Sequence, residues 1–360
     1  MSYGLRSALG WITVIAVVVS VASYVVSLAV SALVLVGTSI GTQLATTAAP
    51  LYIEAYLLIF PTPFQVNVLL IVAISLVAFV ASFIKAAQSN GGFLSGLRTL
   101  SLGSRPAQLP NWLSLMPLVA SGILIIDLLL SFLQDLFGVS TGMLSTTDPN
   151  VLFASLALAP IAEEIGFRLS AMWLFIGVLI AVSYGNKIAQ GAKIATKLEL
   201  GTFFAVLISP GFAKERVGLP SIRTSGLKGI SIPEWIGLSL TSVVFGLYHI
   251  LGGGGWGPGK FLTAALSGFA LGIVYLAYGA YADILLHWFF DLNFYVFDSS
   301  FQTAFNGARV IFGILAELGA IALGVWAIIV GVYWIAKRNA SPVIYPTMIG
   351  LSQPIQQTKG

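Results

Sequence analysis

Residues 151–184 read VLFASLALAPIAEEIGFRLSAMWLFIGVLIAVSY, an apolar run that holds two adjacent carboxylates, Glu163 and Glu164, and a guanidinium, Arg168. An ionisable side chain at the centre of a spanning helix costs about 2.5 to 3.5 kcal/mol on insertion scales. Three of them within a turn and a half oppose insertion unless they pair and face a polar interior. Charges placed in this way mark function.

The rest of the chain decides that the surround is a membrane. Hydrophobic residues make up 58% of its 360 positions and charged residues 8%, against about 25% charged in a soluble domain. That length holds about eight spans of ~20 residues. The expected fold is an all-α membrane protein, a polytopic bundle of about eight transmembrane helices around a polar intramembrane cavity. The net charge of +4 comes from basic residues gathered in loops, which points to orientation against headgroups and to no nucleic-acid partner. There is no cysteine, so thiol nucleophiles, disulfides and thiolate metal sites are excluded.

Working outward, residues 1–150 are read as N-terminal spans, 151–297 as a catalytic core with a basic insertion at 186–233, 298–338 as a last span and 339–360 as a polar tail. Apolar runs at 11–36, 51–87, 112–137, 151–184, 234–251, 261–278, 280–297 and 310–336 are the expected spans. The second is broken at Pro61 and Pro63, which favour a kink. Asp127 in the third reads as a buried, hydrogen-bonding carboxyl. The fourth is too long for one perpendicular span at about 1.5 Å per residue and must tilt, bend or protrude. Residues 37–50 and 88–111, the latter with Arg98 and Arg105, read as loops. In the insertion, 187–200 has helical spacing suited to the headgroup surface, although a plain basic cytoplasmic loop is the simpler reading. Glycines 252–255 lead to Lys260, but Phe261 follows where a phosphate loop needs Ser or Thr, so they read as a turn. Gly268 and Gly272 are spaced for close helix approach.

Only two histidines occur, and both lie in late apolar segments. His249 follows Phe245 by four residues; His287 precedes Asp291 by four. On a helix that spacing puts each pair on one face, so Phe245 can pack on His249 and Asp291 can orient His287. Glu164 and Arg168 are likewise placed to form an internal ion pair. Glu163 projects about 100° away and stays available to a histidine from another helix. A carboxylate that takes a proton from water, with histidines that hold the water or the oxyanion, describes hydrolysis inside the bilayer, metal-independent or metal-assisted.

These residues form Glu-Glu-x-x-x-Arg, Phe-x-x-x-His and His-x-x-x-Asp in that order, and the sequence from 151 to 293 resembles the CPBP intramembrane glutamate proteases. That family includes the type II CAAX prenyl endopeptidases and bacteriocin-processing relatives. The resemblance implies a membrane-embedded endopeptidase that acts on a membrane-associated or lipidated peptide without a cofactor. It implies Glu163 as the water-activating base, Glu164 and Arg168 as its supporting pair, His249 as its partner, and His287 with Asp291 on the oxyanion or water-positioning side. The third motif ends in Asp291 where Asn is common in the prenyl-protease branch, and the insertion between the first two motifs is long. Zinc held by two histidines and a glutamate is the nearest rival chemistry. A transporter, scaffold or immunity-type member using the same charges is the non-enzyme alternative.

Positive residues placed inside put Arg6, the loop after Gln88, the insertion and Lys337-Arg338 on the cytoplasmic side, with both termini cytoplasmic in a cell-membrane protein. Cysteines introduced singly at 187–228 should therefore react with an impermeant thiol reagent from the cytoplasmic side alone. Labelling from outside would invert the topology.

Overall fold

The computed structural model describes residues 3–101, 109–143, 148–189, 200–252, 254–293, 295–296 and 306–340. Helix α1 covers Tyr3–Gly37 and α2 Ser39–Thr46; strands β1, Ala48–Ala55, and β2, Leu58–Asn67, form a hairpin that leads into α3, Val68–Gln88. Next come α4, Phe93–Ser101, α5, Trp112–Leu136, and α6, Pro149–Glu164, which runs on through a π-helical segment, Ile165–Met172, into α7, Trp173–Ala189. Short helices α8, Leu200–Ile208, α9, Pro210–Arg216, and α10, Ile222–Ser225, precede α11, Ile232–Leu251, and α12, Lys260–Tyr278. Helix α13, Ala280–Trp288, ends in a second π-helical turn, Phe289–Asn293, and α14 covers Asn306–Ala340.

Among the described residues, seven helical stretches are long and apolar enough to cross a membrane: Ala8–Gly37, Val68–Gln88, Trp112–Leu136, Asn150–Asn186, Ile232–Leu251, Lys260–Tyr278 and Ile314–Val332. The protein is a polytopic helical membrane protein. The segment expected at 280–297 is helical to Asn293 but short, and it is the most enclosed part of the bundle. Leu285, Leu286 and Trp288 are fully buried, and α13 packs on α3, α6 and α12. Tyr24 of α1 meets the Trp288 and Phe289 rings edge-on, at 5.9 and 5.5 Å. By contrast Ile15 and Val19 of α1 and Leu315 and Val332 of α14 point outward, as side chains facing lipid do.

Four regions differ from the expected loops and spans. Residues 39–46 and 93–101 are helices rather than loop. The run 51–67 is not the first half of a span: it belongs to the hairpin, whose register pairs Ala55 with Leu58 across a two-residue turn. Pro61 and Pro63 forbid a helix interior, and a ribbon with two open edges accepts residues without N–H groups. The insertion is folded, since α8 to α10 lie within it. Lys214 is buried and bonds Glu234 Oε2 at 2.6 Å and the Gly229 carbonyl at 2.7 Å. Glu234 also closes a capping box with Ser231 at the start of α11. The headgroup helix proposed at 187–200 falls largely on 190–199, outside the described residues, as do Arg105 and the tail from 341.

Asn111 holds the end of α3 and the start of α5 together. Its side chain accepts from Ser114 N–H and donates to the Ala86 and Ser89 carbonyls, at 2.7 and 2.6 Å. At the other end the glycine turn is docked, not free: Gly257 and Gly259 N–H donate to the Thr141 and Ser140 carbonyls, and the Lys260 ammonium lies 4.2 Å from the Trp256 ring centre. Asp127 Oδ2 accepts from Ser267 at 2.8 Å.

Helices α11 and α12 touch through glycines. A β-carbon on Gly246 would lie 2.5 Å from the Phe261 carbonyl oxygen, and one on Gly272 would lie 2.3 Å from Leu238 Cδ1. Gly246→Ala must therefore push two helix backbones apart and should destabilise by about 1 to 3 kcal/mol. Gly319→Ala, which meets nothing within 4 Å, should leave the thermal midpoint in detergent unchanged or slightly raised. Equal midpoints would mean that α11 and α12 do not pack as described.

Candidate active site

The three motifs meet where α6, α11 and α13 converge. Glu164 and Arg168 are both fully buried and pair at 3.1 Å, Arg168 Nη1 to Glu164 Oε1. Arg168 Nη2 donates to the Gly268 carbonyl at 2.9 Å, and its guanidinium stacks 4.5 Å from the Phe245 ring centre. Gly268 permits this approach, because a β-carbon there would stand 3.2 Å from Arg168 Nη2 and 2.9 Å from Phe245. The ion pair is thus compensated on three sides, as a buried pair must be to persist.

His287 arrives from α13. The Glu164 Oε1 that accepts from Arg168 also accepts from His287 Nδ1–H, at 2.6 Å. This hydrogen bond fixes the ring and turns Nε2 toward Glu163 Oε2, 3.6 Å away, and Asp291 Oδ2, 3.4 Å away. The histidine beside Glu163 is thus His287. His249 instead donates from Nδ1 to the Phe245 carbonyl of its own helix at 2.9 Å, which leaves its Nε2 lone pair free to accept. Both imidazoles contact the Phe245 ring, with centroids 4.7 and 5.9 Å away. Glu163 Oε2 has no hydrogen-bond partner among the described residues. Among those residues no group of three or more His, Asp or Glu side chains is arranged to hold a metal ion.

Two π-helical segments shape the cluster. The first begins directly after Glu164 and contains Arg168; the second contains Asp291 and Asn293. Widened turns leave carbonyls off the regular ladder, and such turns concentrate at functional sites. In the first, Ser170 Oγ re-bonds the Ile165 carbonyl at 2.7 Å; in the second, the Asn293 side-chain Oδ1 accepts from Ser27 of α1 at 2.8 Å.

Several residues of the site were not singled out in the sequence. Glu54, on β1, has its Oε1 bonded by the Tyr248 hydroxyl at 3.2 Å. Partial burial lifts its carboxyl above the usual range, while Tyr248 and the His287 charge pull it back. Asp283 is fully buried one turn before His287; the spacing Asp283, His287, Asp291 was a visible signal for it. Nothing in residues 51–60 signalled Glu54.

Removing one partner of the Glu164–Arg168 pair strands the other. Arg168→Gln or Glu164→Gln should each destabilise by about 3 to 5 kcal/mol. The double change should recover part of the loss, though not all, because the Gly268, Phe245 and His287 contacts go too. Strictly additive losses in detergent melts would dissolve the pairing.

Residues 147–293 match the family model described as Type II CAAX prenyl endopeptidase Rce1-like. No curated protein and no solved structure matches the chain. The matched stretch runs from just before α6 to the end of the second π-helical turn and contains all three motifs, so residues 147–293 of this polytopic membrane protein are similar to the type II CAAX prenyl endopeptidase Rce1-like family.

Proposed function

We propose that the protein is an intramembrane endopeptidase of glutamate type that hydrolyses a peptide bond in a membrane-associated or lipidated substrate. The observation that carries the reading is the unbonded Glu163 Oε2, held 3.6 Å from a histidine nitrogen whose ring is locked from behind by Glu164. A water at that point loses a proton to Glu163 as its oxygen bonds to the scissile carbonyl carbon. The resulting oxyanion is stabilised by a proton on His287 Nε2, with Asp291 orienting the ring. The free Nε2 of His249 accepts from the attacking water or from the substrate amide. When the tetrahedral intermediate collapses, the C–N bond breaks and the proton on Glu163 passes to the leaving amine. Glu164 and Arg168 touch neither water nor substrate in this scheme; they position His287.

Glu163→Gln keeps the shape but accepts no proton from water. It should abolish cleavage of a membrane-associated peptide by the purified protein while leaving the melt near that of the parent. His287→Ala and His249→Ala should each lose about 10²-fold or more. Turnover by Glu163→Gln would remove that residue from the chemistry. A parent protein that cleaves no such peptide, yet binds or moves one in proteoliposomes, would favour the transport or scaffold reading.

A further inference from the structure

The candidate site is closed. His287 is 5% exposed and Glu163 13%, so an extended peptide cannot reach them unless a wall moves. Among the described residues, most walls are helices packed along their lengths, and one is not: the tip of the β1–β2 hairpin.

The tip reaches the first π-helical segment. Glu54 Cβ lies so near Gly166 that a β-carbon on the glycine would stand 3.1 Å from it. Leu57 packs on the small cluster of Phe167, Phe245 and Ala264, the same Phe245 that both histidines touch. Three hydrogen bonds hold the tip there: Tyr56 N–H to Ser170 Oγ at 2.8 Å, Leu57 N–H to the Gly166 carbonyl at 3.3 Å, and the Tyr248 hydroxyl to Glu54 Oε1 at 3.2 Å. The turn itself is strained. Tyr56 and Leu57 have φ of +52° and +66°, the left-handed region that two-residue hairpins require and that Asn-Gly normally fills. The base, in contrast, is fastened to the helices that flank it, with Asn67 Nδ2 donating to the Ala45 carbonyl at 2.7 Å and Val68 N–H to the Thr47 carbonyl at 3.0 Å.

We infer that the hairpin is a lid over the Glu163–His287 site, hinged at its base on α2 and α3 and latched at its tip by Glu54 and Tyr248, and that it swings away from the π-helical segment to admit the peptide. Stored strain at the turn and few tip bonds make this the wall that opens at least cost, as lids in other hydrolytic sites do. The inference rests on the proteolytic reading for what passes beneath the lid, but not for the motion.

The chain contains no cysteine, so the lid can be locked by one engineered disulfide. The Cβ separation at Glu54 and Gly166 needs only a few tenths of an ångström of relaxation to reach disulfide range. In the Glu54→Cys/Gly166→Cys protein, oxidation should lower peptide cleavage at least about tenfold, and reduction should restore it. Equal rates in the oxidised and reduced forms would overturn the lid. A second measurement does not depend on turnover. Leu57→Cys should react with a membrane-permeant maleimide several-fold faster when Tyr248→Phe removes the latch; an unchanged rate would overturn the lid even if the cross-linked pair proved inactive when reduced. Failure of the parent protein to cleave any peptide would sink the proteolytic reading and leave the labelling result to decide the lid.

Discussion

Everything in the site hangs on where Glu164 sends its charge. A carboxylate with no exposed surface, deep in a span, is tolerable only beside a cation and further donors, and Arg168 supplies the cation one turn on. Arg168 needs acceptors of its own in turn: Nη2 finds the Gly268 carbonyl at 2.9 Å, while Nε has no hydrogen-bond partner among the described residues. That demand is why α12 has a glycine where it crosses α6 and α11, and why Phe245 lies flat beneath the guanidinium. His287 bonds the same Glu164 Oε1 that Arg168 uses. The geometry of the site is thereby built from a structural necessity: the carboxylate that pairs with Arg168 also orients the imidazole.

The π-helical turns follow from this placement. The fourth span carries Glu163 and Glu164 with Pro160 just before them, and a regular helix would give one face to both motif carboxylates' neighbours. A widened turn from Ile165 to Met172 redirects Arg168 and Ser170 relative to the glutamates and exposes the Gly166 carbonyl. In lipid an exposed carbonyl must find a donor, and this one takes two: Ser170 Oγ at 3.0 Å and the N–H of Leu57 from the hairpin at 3.3 Å. The second widened turn does the same for Asp291 and sends Asn293 to Ser27 of α1. Irregular backbone at membrane depth is present here where protein covers it.

How much of this the sequence disclosed depends on whether a constraint is local. The ion pair, the His249–Phe245 contact and the His287–Asp291 contact are four-residue relations on one helix, and all three were legible as spacing. So was the close approach at Gly268 and Gly272. What was not legible is which helix meets which. The partner of Glu163 turned out to be His287 because α13 docks on α6, and that docking is a tertiary choice. Residues 51–67 misled because an apolar run bounded by a span looks like more of the span, and its turn is Tyr-Leu rather than Asn-Gly, so the usual hairpin mark was missing. The π-helical turns left no compositional trace, beyond the excess length of the run itself.

Hairpin and bundle together pose a problem of solvation that the helices alone do not. A two-stranded ribbon has unpaired N–H and C=O groups along both outer edges, and in hydrocarbon each such group costs several kcal/mol. Its outward side chains, Tyr52, Ile53, Ile59, Phe60 and Phe64 among them, are nevertheless apolar, so the ribbon is made for a boundary with water on the edges and lipid or protein on the faces. Such a ribbon suits the membrane surface, with its tip against Gly166. On the proposed proteolytic reading, a segment so placed would bring water and the Glu54 carboxylate toward Glu163 without opening the span itself: the nucleophile would arrive from the aqueous side while the helices that hold Glu164 and Arg168 stay packed.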